Sequence, residues 1–195
     1  MVVRQSASQL TVRSTELVRY VDAATAVISA TRQMKRARPV LAALSDAVQR
    51  NIVDSEDLQV AHQDGPPRNS RFATAALEEL GWGIRSAAEA DLRRLALRSR
   101  LLAGITYNVW VRLRCGRVVC LDSLLMSSAV VHEVNGRKAH AREDLFEDMQ
   151  DRHDAATTSG FVVLHSSARR VQRNGALVIH QIEEMPPDVR RPRTA

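Results

Sequence analysis

The chain has 195 residues, 45% of them hydrophobic and 26% charged, enough apolar surface for one domain of comfortable size or two small ones. Its net charge of +6 permits a polyanionic partner, and all but Lys35 and Lys138 of its 28 basic residues are arginine, which suits bidentate phosphate contact but also follows from a GC-rich genome. No run approaches the ~20 apolar residues of a membrane span, the N-terminus lacks a signal peptide's apolar core, and Cys115 and Cys120 have no Cys-x-x-Cys or His-pair companion, so the expectation is a cytoplasmic protein with two free thiols and no zinc framework.

The first half reads helical. Leu17, Val18, Val21, Ala24, Val27 and Ile28 fall at helical spacing over Ser14–Ser29, and Val40, Leu41, Leu44, Val48 and Ile52 repeat the pattern over Pro39–Val53. Asp54 opens a further helix with acids in its first turn. The breaker Gln63-Asp-Gly-Pro-Pro-Arg-Asn-Ser follows, then a helix over Arg71–Leu80 that ends at Gly81-Trp-Gly. A domain boundary is expected near Trp82–Arg85, giving a helical module over 1–84.

Beyond it the character changes. Ser86–Leu102 reads as a helix, with Ser86 and Glu89 in capping-box positions. Three strands are expected over Thr106–Arg114, Val118–Met126 and Ala129–Val134, the last two joined by a short Ser-Ser turn. A polar helix over Glu143–Thr158, a buried strand over Gly160–His165 and a helix over Ala176–Glu184 close a second domain over 85–185. Residues 186–195 form a basic tail, expected to be disordered. Trp82 and Trp110 are expected in packing positions.

The hairpin carries one acid on each strand, Asp122 and Glu133, and its length brings them toward the same end of the sheet. Carboxylates gathered on apolar strands repel one another and usually share a cation or a proton. Magnesium or manganese is the expected ion, since hard cations prefer carboxylate oxygens. His132 should point to the opposite face, and His153 and His165 read as structural.

The order helix, three strands, helix, strand, helix, with acids on the second and third strands, resembles the PD-(D/E)XK nuclease core. Ser86-Ala-Ala-Glu89, Asp122, Glu133-Val-Asn135-Gly136, His140, Phe146, Arg152 and Gly160-Phe-Val-Val-Leu164 resemble, in order and spacing, the nuclease-like domain related to very-short-patch repair endonucleases. Asn135 departs from that pattern, which usually has a charged residue there. Upstream, Gln9-Leu-Thr-Val-Arg-Ser-Thr, Ala43-Leu-Ser-Asp-Ala and the Arg71–Leu80 segment resemble the module of AbiEi-like type IV antitoxins, shortened and without a winged helix before Gln9.

The resemblance implies an α+β protein of αβββαβα order that cleaves DNA with Mg²⁺ or Mn²⁺. Asp122 and Glu133 would hold the metal, with Glu89 as a further ligand. His140 would orient or deprotonate the attacking water, and Arg152 would stabilise developing charge. Arg93, Arg94, Arg112, Arg114, Arg137 and Lys138 are the expected DNA-contacting residues. The alternative it implies is a non-catalytic antitoxin or DNA-associated regulator facing a toxin partner. The bland readings are a capping role for Glu89, solvated helix faces for the arginines, and an Arg152–Asp148 ion pair four residues apart.

Overall fold

A computed structural model describes residues 12–135 and 143–185 of the chain, and these fall into two compact units divided between Ala87 and Ala88. The protein is α+β. Among the described residues no helix is long and apolar enough to cross a membrane.

The first unit is not all-helical. It opens with an antiparallel hairpin of β1 (Val12–Ser14) and β2 (Arg19–Val21), pairing Val12 with Val21, where a helix over Ser14–Ser29 is expected. Thr15 makes the turn, its amide donating to the Val18 carbonyl at 2.9 Å and its Oγ1 accepting from the Val18 amide at 3.2 Å. Leu17 and Val18 keep a helical spacing with Val21 yet lie exposed in the turn, and only Val21 is in a strand, so periodicity alone misplaces the start. The helix begins only where Asp22 caps it, accepting from the Thr25 amide at 2.9 Å and the Thr25 hydroxyl at 2.7 Å.

That helix is α1 (Ala23–Thr31), followed by α2 (Ala37–Gln49), α3 (Ser55–Gln63) and α4 (Arg71–Gly81). Helix α2 packs on α4 and α1 on α3, with Ile28, Val40, Leu44 and Leu58 fully buried. Trp82, after α4, is 64% exposed and not a core residue.

The second unit is a four-stranded mixed sheet of order β3-β4-β5-β6, with helices α5 (Ala87–Ala96), α6 (Glu143–Thr158) and α7 (Ala168–Glu183). Strands β3 (Ile105–Arg112), β4 (Val118–Leu125) and β5 (Val130–Asn135) run antiparallel to their neighbours, and β6 (Val162–Ser167) lies parallel to β5. The parallel step needs a crossover, which α6 supplies. Helix α5 is shorter than its periodicity suggests, stopping at Ala96 before the turns around Ser99 and Gly104. Helix α7 is longer, because Ser167 caps it through the Arg170 amide and the chain bends at Asn174 rather than starting afresh. A Cβ on Gly175, just past that bend, would run into Leu95 of α5, so the two helices approach closely there.

Two apolar clusters cover the sheet. On one side Leu125, Val130 and Val162 pack with Leu92 of α5 and Val171, Val178 and Ile182 of α7. On the other, Val111, Val119, Leu121, Leu124 and Val131 pack with Ala156 and Phe161. Leu121 and Leu124 share that second side although three residues apart, which strict alternation forbids. The change of phase falls where the β3–β4 pairing skips Asn108 and Asp122, and Asn108 has φ +49°. Asparagine tolerates that left-handed conformation better than most residues. Trp110, on the strand beyond the twist, is 64% exposed rather than packed. Leu124, 1% exposed at the centre of the second cluster, is a fair measure of how much this packing contributes. Leu124→Ala is expected to lower the unfolding free energy by about 2–5 kcal/mol, read by urea denaturation.

Candidate active site

The β4–β5 ladder is short. Backbone pairing is confined to Leu125 with Val130 and Leu124 with Val131, and beyond that point side chains take over the strand amides. The Val134 amide donates to Asp122 Oδ2 at 2.8 Å, and the Asp122 amide donates to Glu133 Oε1 at 3.2 Å. Ser123 Oγ donates across the gap to the His132 carbonyl at 2.8 Å. Each acid therefore satisfies a backbone donor that a continued ladder would have paired, and the two carboxylates occupy the opening between the strands.

Two further charged groups converge there. Glu89, on α5 and 6% exposed, accepts from Asn108 Nδ2 at 2.7 Å through Oε2. Arg152, on α6, donates from Nη2 to Glu133 Oε2 at 3.1 Å and to the Cys120 carbonyl at 3.0 Å. The expected Asp148 pairing goes elsewhere: Asp148 accepts from Arg117 at 2.7 Å.

The electrostatics follow from this crowding. Burial, and then the charge of Glu133, push Asp122 up to about 7 from an ordinary 3.8, with Glu89 adding to the effect and Arg152 opposing it. Burial also raises Glu133, against the pull of the Arg152 guanidinium. Near neutrality the pair is thus poised to take up a proton or a cation. The donor set suits a hard divalent ion, with hydrogen bonds committing Oδ2 of Asp122 but none among the described residues reaching its Oδ1. Among those residues no group of three or more His, Cys, Asp and Glu side chains is arranged to hold a metal. Among the described residues, Asp122 and Glu133 are the two carboxylates that could hold an ion here, leaving positions in its shell for water or substrate oxygens.

A narrow cleft beside Glu133 is lined by Met149, Arg152, His153 and His165 over a floor of Leu121 and Val131. The two histidines, expected to be structural, are part of it. His165 neighbours Glu133 across the parallel β5–β6 ladder, a placement that follows from the register and not from any local motif. His132 does point away from the acids: it is 2% exposed, with Nε2 at 3.1 Å from Ser166 Oγ, and burial holds it down at about 4.

Of the expected DNA-contacting residues, Arg93 and Arg94 lie in the last turn of α5, Arg94 paired with Asp91 at 2.9 Å. Arg112 ends β3 and Arg114 lies in the turn after it, both exposed. His140, Arg137 and Lys138 lie outside the described residues, as does the 186–195 tail. Compared with protein-family models, curated proteins and solved structures, the chain matches none of them.

Proposed function

We propose that the second unit is a PD-(D/E)XK-type nuclease domain that cleaves or nicks DNA phosphodiesters with Mg²⁺ or Mn²⁺. The observation that carries this reading is the opening of the β4–β5 ladder around Asp122 and Glu133, where two half-buried carboxylates replace backbone pairing. The α5-β3-β4-β5-α6-β6-α7 order and the placement of Glu89 and Arg152 beside those acids support it.

Asp122 and Glu133 would hold the ion, which when bound would polarise the scissile phosphate and acidify a coordinated water. Glu89 deepens the negative potential behind them. Arg152 lies close enough to Glu133 to turn its guanidinium toward charge that builds on the phosphate. His140 keeps the water-orienting role that the family resemblance gives it. The deciding experiment is a plasmid-nicking assay across Mg²⁺, Mn²⁺ and chelator.

Two observations favour a second reading, a non-catalytic antitoxin or DNA-associated regulator on a nuclease scaffold. Arg152 already neutralises Glu133, and Asn135 brings no charge to the site. Inertness across metals and DNA substrates would decide for it.

Under both readings Arg93, Arg94, Arg112 and Arg114 are the described candidates for contact with DNA phosphates. Duplex affinity is then expected to fall steeply with salt, with a log–log slope of about −0.9 for each phosphate neutralised. Substituting Arg112 and Arg114 together by Ala should flatten that slope by roughly 2, measured by fluorescence anisotropy. Salt-independent binding would point to a protein partner instead.

A further inference from the structure

Asn135, the residue that departs from the nuclease pattern, is tied to the two cleft histidines. Its Nδ2 lies 3.3 Å from His165 Nδ1, and His165 Nε2 lies 2.8 Å from His153 Nδ1. The two rings are 5.1 Å apart at their centroids and tilted by 22°. With that N–N distance, they meet edge to edge through a hydrogen bond in the plane of both rings.

The direction of the chain is set by how the Asn135 amide is turned. With Nδ2 toward the ring, as it is placed here, the ring nitrogen facing it accepts, because an amide nitrogen only donates. His165 Nδ1 is then bare, its proton is on Nε2, and Nε2–H donates to His153 Nδ1. His153 Nδ1 is bare in turn, and its proton is on Nε2. The tautomer of a histidine is set by the bond its other nitrogen makes, and here that rule runs through two rings in series. His153 stands at the end of the series, in the cleft with Glu133 and Arg152.

The geometry points to Asn135 and His165 as positioning residues that lock His153 as an Nε2–H donor to a phosphodiester oxygen in the Glu133–Arg152 cleft. This rests on the nuclease reading for the identity of the acceptor. It gives Asn135 a task that a carboxylate would reverse. An acid at that position would accept from His165 Nδ1–H, turn both rings over in tautomer, and leave His153 Nε2 as a bare acceptor facing the phosphate. The neutral residue therefore sets the polarity of the site. Burial, His153 and Arg152 all act to keep His165 from taking a second proton.

The test has two arms on the full chain. Long-range ¹H–¹⁵N spectra of ring-labelled protein at pH 8 should show Nε2–H on both His153 and His165. Asn135→Asp should convert both to Nδ1–H. Nδ1–H on either ring of the unsubstituted protein overturns the inference, whatever the fate of the variant.

The second arm compares His153→Phe, which keeps a flat ring without the donor, with His153→Gln, which keeps an N–H. In Ca²⁺, duplex DNA affinity should drop roughly tenfold to a hundredfold for Phe and stay near the original for Gln, as expected for one hydrogen bond to a charged oxygen. If Phe binds as well as His while the protein still nicks DNA in Mg²⁺, the donor role is lost and the nuclease reading stands. If the protein neither binds nor nicks DNA, the nuclease reading falls and takes the phosphate acceptor with it.

Discussion

Asp122→Ala and Glu133→Ala are each expected to remove Mg²⁺- or Mn²⁺-dependent nicking of plasmid DNA, by about a hundredfold or more in initial rate. The reason is geometric. Two carboxylates hold a hard ion with room left for water and phosphate, and losing either leaves one ligand; losing Glu133 also takes away the carboxylate that Arg152 pairs with. EDTA should abolish the same activity. Arg152→Lys should retain part of it, since the charge remains but the forked donor does not. Full activity in both acid-to-Ala variants, with circular dichroism unchanged, would place the chemistry elsewhere or nowhere.

The second expectation concerns stability against pH. The unfolded chain releases the Asp122 proton near 3.8, whereas the folded protein keeps it to about 7. The folded state therefore binds more protons over that interval, and this group's contribution is full below about 4 and is lost as pH rises to 7. Glu133 acts in the same direction. His132 acts in the opposite one: its folded value of about 4 lies below an ordinary 6.5, so its contribution is present above 6.5 and lost as pH falls toward 4. The two partly cancel between 4 and 6.5.

Asp122→Asn separates them, keeping an acceptor for the Val134 amide while removing the charge. At pH 8 it should raise the unfolding free energy by on the order of 2–4 kcal/mol, and at pH 4 it should change little. Between 4 and 6.5 its stability should change more favourably with rising pH than that of the unsubstituted protein, because the His132 contribution is no longer opposed by Asp122. Mg²⁺ in millimolar excess should raise the Tm of the unsubstituted protein at pH 8 and leave that of Asp122→Asn nearly unmoved. Equal pH profiles for the two proteins would mean that Asp122 is not held in its acid form by the fold.

How far the sequence carried differs between the two units. In the second, the order of elements was readable because each strand announces itself by β-branched runs and each break by Gly, Ser or Asn. The gathering of Asp122 with Glu133 was readable because a hairpin converts sequence spacing into spatial register. The contribution of His165 was not, since it depends on a parallel pairing set by a crossover through α6, and no local pattern encodes that register. Asn108 was missed for a related reason: its left-handed backbone and its bond to Glu89 exist only once β3 is folded against β4. In the first unit the apolar spacing from Leu17 to Ile28 runs on through a turn, a strand and a helix, and the Thr15 turn and Asp22 cap set where the helix starts. Trp82 and Trp110 show the limit of composition, for an aromatic ring reads as core until a neighbour fails to cover it.

The bond from the Val134 amide to Asp122 Oδ2 also turns a piece of main chain into a gauge. An amide proton held by a carboxylate feels that group's ionisation directly, so its resonance should move as Asp122 titrates, with a midpoint near 7 rather than near 4. The Asp122 amide, held by Glu133, should report its own partner in the same way. An ion entering between the two acids would drive both gauges to their ionised readings at a pH where the empty site still holds a proton. Two backbone signals would then follow the charge state of the site with every side chain left intact.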